Sequence, residues 1–160
     1  MTRAGRALAC CARAALVAAA LWLAGCASTP QASFERDAEA KQFVTHPNAA
    51  TIYVYRGDFP AADAMDSVLY VDNRLIGATL PGTYFRIDAR PGVHLLYGFG
   101  YDQGRLKIDT RSGELYFVSL NVIAGNSRFA PINPEVGKKE VMRCCELLEN
   151  WAPGQRPLLR

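Results

Sequence analysis

The chain has 160 residues, 50% of them hydrophobic and 21% charged, which suits a folded protein with one main domain and excludes a disordered polyelectrolyte. Its formal charge of +3 comes entirely from Arg3, Arg6 and Arg13, since no acidic residue precedes Glu35 and the remaining basic and acidic side chains cancel. A neutral body argues against a nucleic-acid binder or a protein drawn to anionic lipid by charge, both of which need a basic patch.

The three arginines precede an apolar run, Ala15 to Cys26, that ends in small residues. The run is shorter than the ~20 residues that span a bilayer, so it reads as a secretory signal at residues 1–25. Its last four residues, Leu23-Ala24-Gly25-Cys26, resemble the lipobox of bacterial lipoproteins. That resemblance implies cleavage between Gly25 and Cys26, a diacylglyceryl thioether on the Cys26 sulfur and acylation of the new amino group. One acyl chain holds a protein only marginally, at about 0.8 kcal/mol per buried CH₂, whereas several make a durable anchor. Ala27 follows the cysteine in place of an aspartate. The expected address is therefore the bacterial envelope, lipid-anchored at the outer membrane and facing the periplasm.

Residues 26–50 have the composition of a tether. Within it Ser33 is placed to cap a short helix carrying an Asp37/Lys41 pair at i,i+4. From Thr51 the hydrophobic period becomes two, and residues 51–133 predict a mainly β domain: an antiparallel sandwich or small barrel of seven or eight short strands. Ile52 to Tyr55 open it. Val68 to Val71 and Leu75 to Ala78 flank Asp72-Asn73, a two-residue hairpin turn. Thr83 to Ala89 alternates, with Phe85, Ile87 and Ala89 on one face and Tyr84, Arg86 and Asp88 on the other.

Arg90-Pro91-Gly92 then reads as a turn into a second strand whose Val93, Leu95, Tyr97, Phe99 and Tyr101 share the buried face. Matching apolar faces puts Ala89 opposite Val93, Asp88 opposite His94, and Tyr84 over Gly98. Leu106 and Ile108 return after a turn at Asp102 to Arg105. Arg111-Ser112-Gly113 predicts a further hairpin that brings Tyr116, Val118, Leu120 and Val122 against them. Residues 124–126 read as irregular and Arg128 to Ile132 as a last strand. Asn133-Pro134-Glu135 starts a C-terminal helix over 134–150, with Val141, Cys144, Cys145 and Leu148 as one apolar stripe and a frayed tail at 151–160.

Several of these segments together resemble a family of bacterial lipoproteins, the domain of unknown function 2846 family: Ala40 to Phe43, Ile52 to Arg56, Tyr70-Val71-Asp72 with Gly77, Gly82 to Phe85 and Pro91 to His94. The strand, Asp-x-x-x-x-Gly, strand, Pro-Gly order is also similar to small PEGA-type sandwiches of bacterial surface proteins. Neither resemblance brings catalytic residues or a cofactor.

The candidate chemistry is sparse. Tyr84, Arg86, Asp88 and His94 form an expected surface patch, and Asp88 with His94 is the acid–base pair that a hydrolase would use, with Ser119 or Ser67 as nucleophile. No nucleophile-elbow motif accompanies them. His46 and His94 are too few for a metal site. Cys144-Cys145 admits three readings: two small core residues, a redox pair, or a disulfide, including one that links two copies into a dimer. Within a regular helix the two sulfurs cannot easily join, because adjacent Cα atoms lie about 3.8 Å apart. Tyrosines such as Tyr70 and Tyr84 suit stacking on sugar rings of peptidoglycan. The reading favoured by this inventory is a non-enzymatic envelope lipoprotein that binds or scaffolds a protein or cell-wall partner.

Overall fold

The structure, a computed structural model, describes residues 29–57, 67–98 and 104–150. The expected signal at 1–25, Cys26 and the expected frayed tail at 151–160 lie outside the described residues, as do Phe99 and Tyr101. Among the described residues no helix is long and apolar enough to cross a membrane.

Among the described residues, nine strands form two sheets packed as a sandwich-like pair that does not close into a barrel. The first sheet contains β1 (Ala50–Arg56), β4 (Thr83–Ala89), β7 (Leu115–Ile123), β8 (Asn126–Ile132) and β9 (Glu146–Leu147), in the order β8-β7-β1-β4-β9. The second contains β2 (Ser67–Val71), β3 (Arg74–Thr79), β5 (Gly92–Tyr97) and β6 (Arg105–Thr110), in the order β3-β2-β5-β6. Most pairs are antiparallel, as the alternation suggests, but β1–β7 and β4–β9 run parallel. Ile52, Val54, Phe85, Ile87, Val118 and Leu120 of the first sheet meet Leu69, Val71, Ile76, Leu96 and Ile108 of the second to make the central core.

A second apolar layer lies on the outer face of the five-stranded sheet. Tyr53, Tyr55, Tyr84 and Phe117 are covered there by Ala40 of α1 (Phe34–Ala40), Phe43, and Val141 of α2 (Pro134–Cys144). Every residue of β1 is consequently buried. Close approach of α2 is possible because position 137 is glycine; a Cβ there would overlap the Phe117 side chain. Ser33 caps α1 by accepting from the Arg36 N–H, and Lys41 pairs with Asp37 at 2.7 Å. Asn133 caps α2 by accepting from the Glu135 N–H at 2.9 Å, with Pro134 in the first turn. Both caps match the sequence expectation.

Four expectations are corrected by the topology. Residues 29–50 are not a free tether: Ala40 and Phe43 belong to the outer core layer, and Thr29 to Ala32 are bonded to the body. The segments around Arg90-Pro91-Gly92 and Arg111-Ser112-Gly113 are not hairpins but crossings between sheets, since β4 pairs with β1 and β6 with β5. Local turn chemistry cannot distinguish the two, because a chain reversal onto the facing sheet needs the same left-handed glycines, here Gly92 and Gly113. The face of β5 is also inverted: His94 and Leu96 point into the core while Val93 is 66% exposed.

The expected helix over 134–150 stops at Cys144, and Cys145 is extended. Residues 146–148 instead satisfy the free edge of β4: the Glu146 N–H donates to the Gly82 carbonyl and the Leu148 N–H to the Tyr84 carbonyl. Unpaired strand edges are costly to leave open inside a fold, so this pairing outcompetes two more helical turns. Where the helix ends, Cys144 and Cys145 join in a disulfide between adjacent residues. Of the readings open at this pair, the intramolecular bond is the one the structure holds. The side chain of Cys145 is also a member of the outer core layer.

Candidate functional site

The expected patch of Tyr84, Arg86, Asp88 and His94 does not exist as a surface. Tyr84, Arg86 and Asp88 do share a face of β4, but that face lies under α1 and the chain beyond it. Tyr84 is 1% exposed and its hydroxyl donates to the Asp37 carboxylate at 2.9 Å. Burial first, then the Asp37 hydrogen bond and charge, push the Tyr84 phenol well above its ordinary range. Arg86 reaches the Val44 carbonyl and lies 3.6 Å from Asp88, whose carboxylate also accepts from the Thr51 hydroxyl at 2.9 Å. These groups tie β1, β4 and the segment after α1 together.

His94 sits in the other sheet, so the Asp88/His94 pair is not formed. Its partner is Asp72, in the β2–β3 turn, with Nδ1 2.6 Å from Oδ2; Nε2 lies 2.7 Å from the Arg90 carbonyl. Both ring nitrogens face acceptors. Each ring nitrogen is thus engaged with Asp72 or Arg90, and neither is directed at a serine. Neither proposed nucleophile helps: the Ser67 hydroxyl bonds that of Ser127, and the Ser119 hydroxyl is directed to the Ala130 carbonyl. Gly98 is likewise filled by Ser127, not by Tyr84.

The Asp72–His94 contact works as a latch. Asp72 Oδ1 accepts from the Leu95 N–H at 2.9 Å, and the Asp72 N–H donates to the Leu95 carbonyl at 3.0 Å. The turn at Asp72-Asn73, with φ of 51° and 64°, has the left-handed pair that a tight hairpin requires. It is thereby fastened to β5. Asp72, His94, Pro91, Gly92 and Val93 line an open depression of about 410 Å³ at this end of the sheet.

From the same turn, Asn73 Oδ1 accepts from the Tyr97 hydroxyl at 3.2 Å and holds that ring on the outer face. Outward residues of β2, β5 and β6 alternate with buried ones, and all are partly or fully exposed. Tyr70 and Tyr97, paired across β2 and β5, stack with ring centroids 5.0 Å apart and planes within 4°. The Arg105 guanidinium lies 5.9 Å from the Tyr97 centroid, and Lys107 stands opposite Leu95. Aromatic rings with a cation at their side, on an open sheet face, are groups that accept a polar, ring-bearing or anionic ligand. Tyr70 was legible as a candidate. Tyr97, Arg105 and Lys107 were missed, because inverting the face of β5 buries Tyr97 on paper.

Among the described residues, no cluster of three His, Cys, Asp or Glu side chains could hold a metal ion. No protein-family profile matches the chain, and no solved structure matches it. Over 138 residues it is 31% identical to an uncharacterized protein of Haemophilus influenzae, the match covering 82% of each chain. At that identity and coverage the chain belongs to the family of this Haemophilus protein.

Proposed function

We propose that the chain is an acylated envelope protein, held to the outer membrane through Cys26, that binds the cell wall through the outer face of its four-stranded sheet and performs no catalysis. The observation that carries the binding role is the stacked Tyr70–Tyr97 pair flanked by Arg105 on an open face. Sugar rings of a glycan strand stack on aromatic faces, and the carboxylates that decorate a peptidoglycan strand suit Arg105 and Lys107. The Leu23-Ala24-Gly25-Cys26 run supports the anchor. The order of strand motifs supports a place among the domain of unknown function 2846 lipoproteins.

Mass spectrometry of the processed amino terminus tests the anchor: acyl chains on Cys26 are expected, and an unmodified amino terminus overturns it. Cosedimentation of the detergent-extracted protein with purified sacculi tests the binding face. Replacing Tyr70 and Tyr97 together with alanine is expected to weaken pelleting roughly tenfold, since aromatic contacts contribute about 0.5–1.5 kcal/mol each. Equal pelleting of wild type and variant, or none by the wild type, overturns the cell-wall reading.

A further inference from the structure

Residues 29–32 lie on the body itself. The Thr29 hydroxyl accepts from the Ala78 N–H of β3 at 2.7 Å, and its side chain fills the space that a Cβ on Gly77 would take. The next residues run antiparallel to the segment after α2. The Glu149 N–H donates to the Pro30 carbonyl at 2.7 Å, and the Ala32 N–H to the Leu147 carbonyl at 2.8 Å. Arg36 adds an ion pair to Glu149 at 2.5 Å. β3 is the edge of one sheet and β9 the edge of the other. Residues 29–32 therefore close the seam between the two sheets on one side of the sandwich, satisfying backbone groups on both edges.

Only Ala27 and Ser28 separate Cys26 from Thr29. Three residue steps reach at most about 11 Å, even fully extended. We propose that the acyl anchor clamps this protein edge-on to the bilayer, with the β3–β9 seam against the lipid surface and both sheets standing away from it. This rests on the acylation of Cys26 proposed above. The consequence for function is direct. The open face with Tyr70 and Tyr97 then runs roughly along the membrane normal and stays clear of the lipid, while the opposite edge, β6, is about three strand spacings, or roughly 14 Å, farther out.

Tryptophan quenching in vesicles of phosphatidylcholine brominated near the headgroup separates these positions. In the mature acylated protein with Trp151→Phe, a single tryptophan is placed at Leu75→Trp on β3 or at Lys107→Trp on β6. Both are exposed positions at opposite edges of the same sheet. The expected result is quenching severalfold stronger at position 75 than at 107, lost when a flexible Gly-Ser spacer is inserted between Ser28 and Thr29. Flotation with the vesicles and mass spectrometry of the amino terminus report the anchor separately. Protein that carries no acyl chains and fails to float rejects the lipidation reading. Acylated protein that floats with equal quenching at both positions overturns the clamp, as does unequal quenching that survives the spacer.

Discussion

The two sheets of this protein are built from similar stretches of β-branched and aromatic residues, yet one is buried on both faces and the other on one. On the five-stranded sheet, Tyr53 stacks on Phe117 with centroids 5.0 Å apart beneath Phe43 and the helices. On the four-stranded sheet, Tyr70 and Tyr97 stack at the same spacing but face outward. The same kind of aromatic pair is thus core in one place and a candidate ligand platform in the other. Among the described residues, what differs is that helices lie over the first pair and not over the second. Aromatic content alone does not mark a binding face; a lack of cover among the described residues does.

Removing one ring from each sheet separates a core pair from an open one. Phe117→Ala, 2% exposed, is expected to cost about 3–5 kcal/mol in denaturant unfolding. Next in size is Gly137→Ala on the helix above it. The new methyl group meets the Phe117 ring, so a loss of about 1–3 kcal/mol is expected, read as a lower denaturation midpoint with unchanged slope.

Tyr97→Ala on the open face is expected to cost no more than about 1 kcal/mol while sharply reducing sacculus binding. A stability loss as large as that of Phe117→Ala would show that the open face is covered after all.

Alkaline pH acts on the covered face of the five-stranded sheet. The Tyr84 phenol is held protonated by burial and by Asp37, so its folded pKa lies above its unfolded value. The stability it contributes is complete below about pH 10 and is lost as pH rises through that value toward the folded one. Tyr84→Phe is expected to flatten the fall in stability above about pH 10, measured by denaturant melts across that range.

The smallest effect concerns two turns. Asp72-Asn73 in the four-stranded sheet carries residues suited to its left-handed backbone. Ala124-Gly125, which closes the β7–β8 hairpin, has alanine at φ 49°. Ala124→Asn is expected to raise stability by about 0.5–1 kcal/mol, visible as a small increase in melting temperature.

Much of the local structure was legible in the chain. Ser33 and Asn133 announce helix starts, Asp72-Asn73 a hairpin, and the alternation of Phe85, Ile87 and Ala89 the inner face of β4. The turn at 124–125 was not, because alanine is an unusual left-handed residue there. Strand partners were not legible either. A period of two states that a strand has two faces, not which strand lies beside it, and β4 buries both of its faces. His94 shows the same limit. A histidine between apolar neighbours reads as the outward residue, and only the Asp72 carboxylate and the Arg90 carbonyl, brought up by the fold, make it an inward one.

By itself the chain determined where helices begin, most of the places where it reverses, and that its body is mainly β, because caps, turn residues and alternation act over a few neighbouring residues. It also carries the lipobox-like run on which the proposed anchor rests. Tertiary structure alone decided that Asp88 and His94 part company, that Cys144 and Cys145 join, and that residues 29–32 seal a seam. Each of those outcomes depends on which unpaired backbone edge or buried polar group lies nearest in space, and sequence distance carries no information about that.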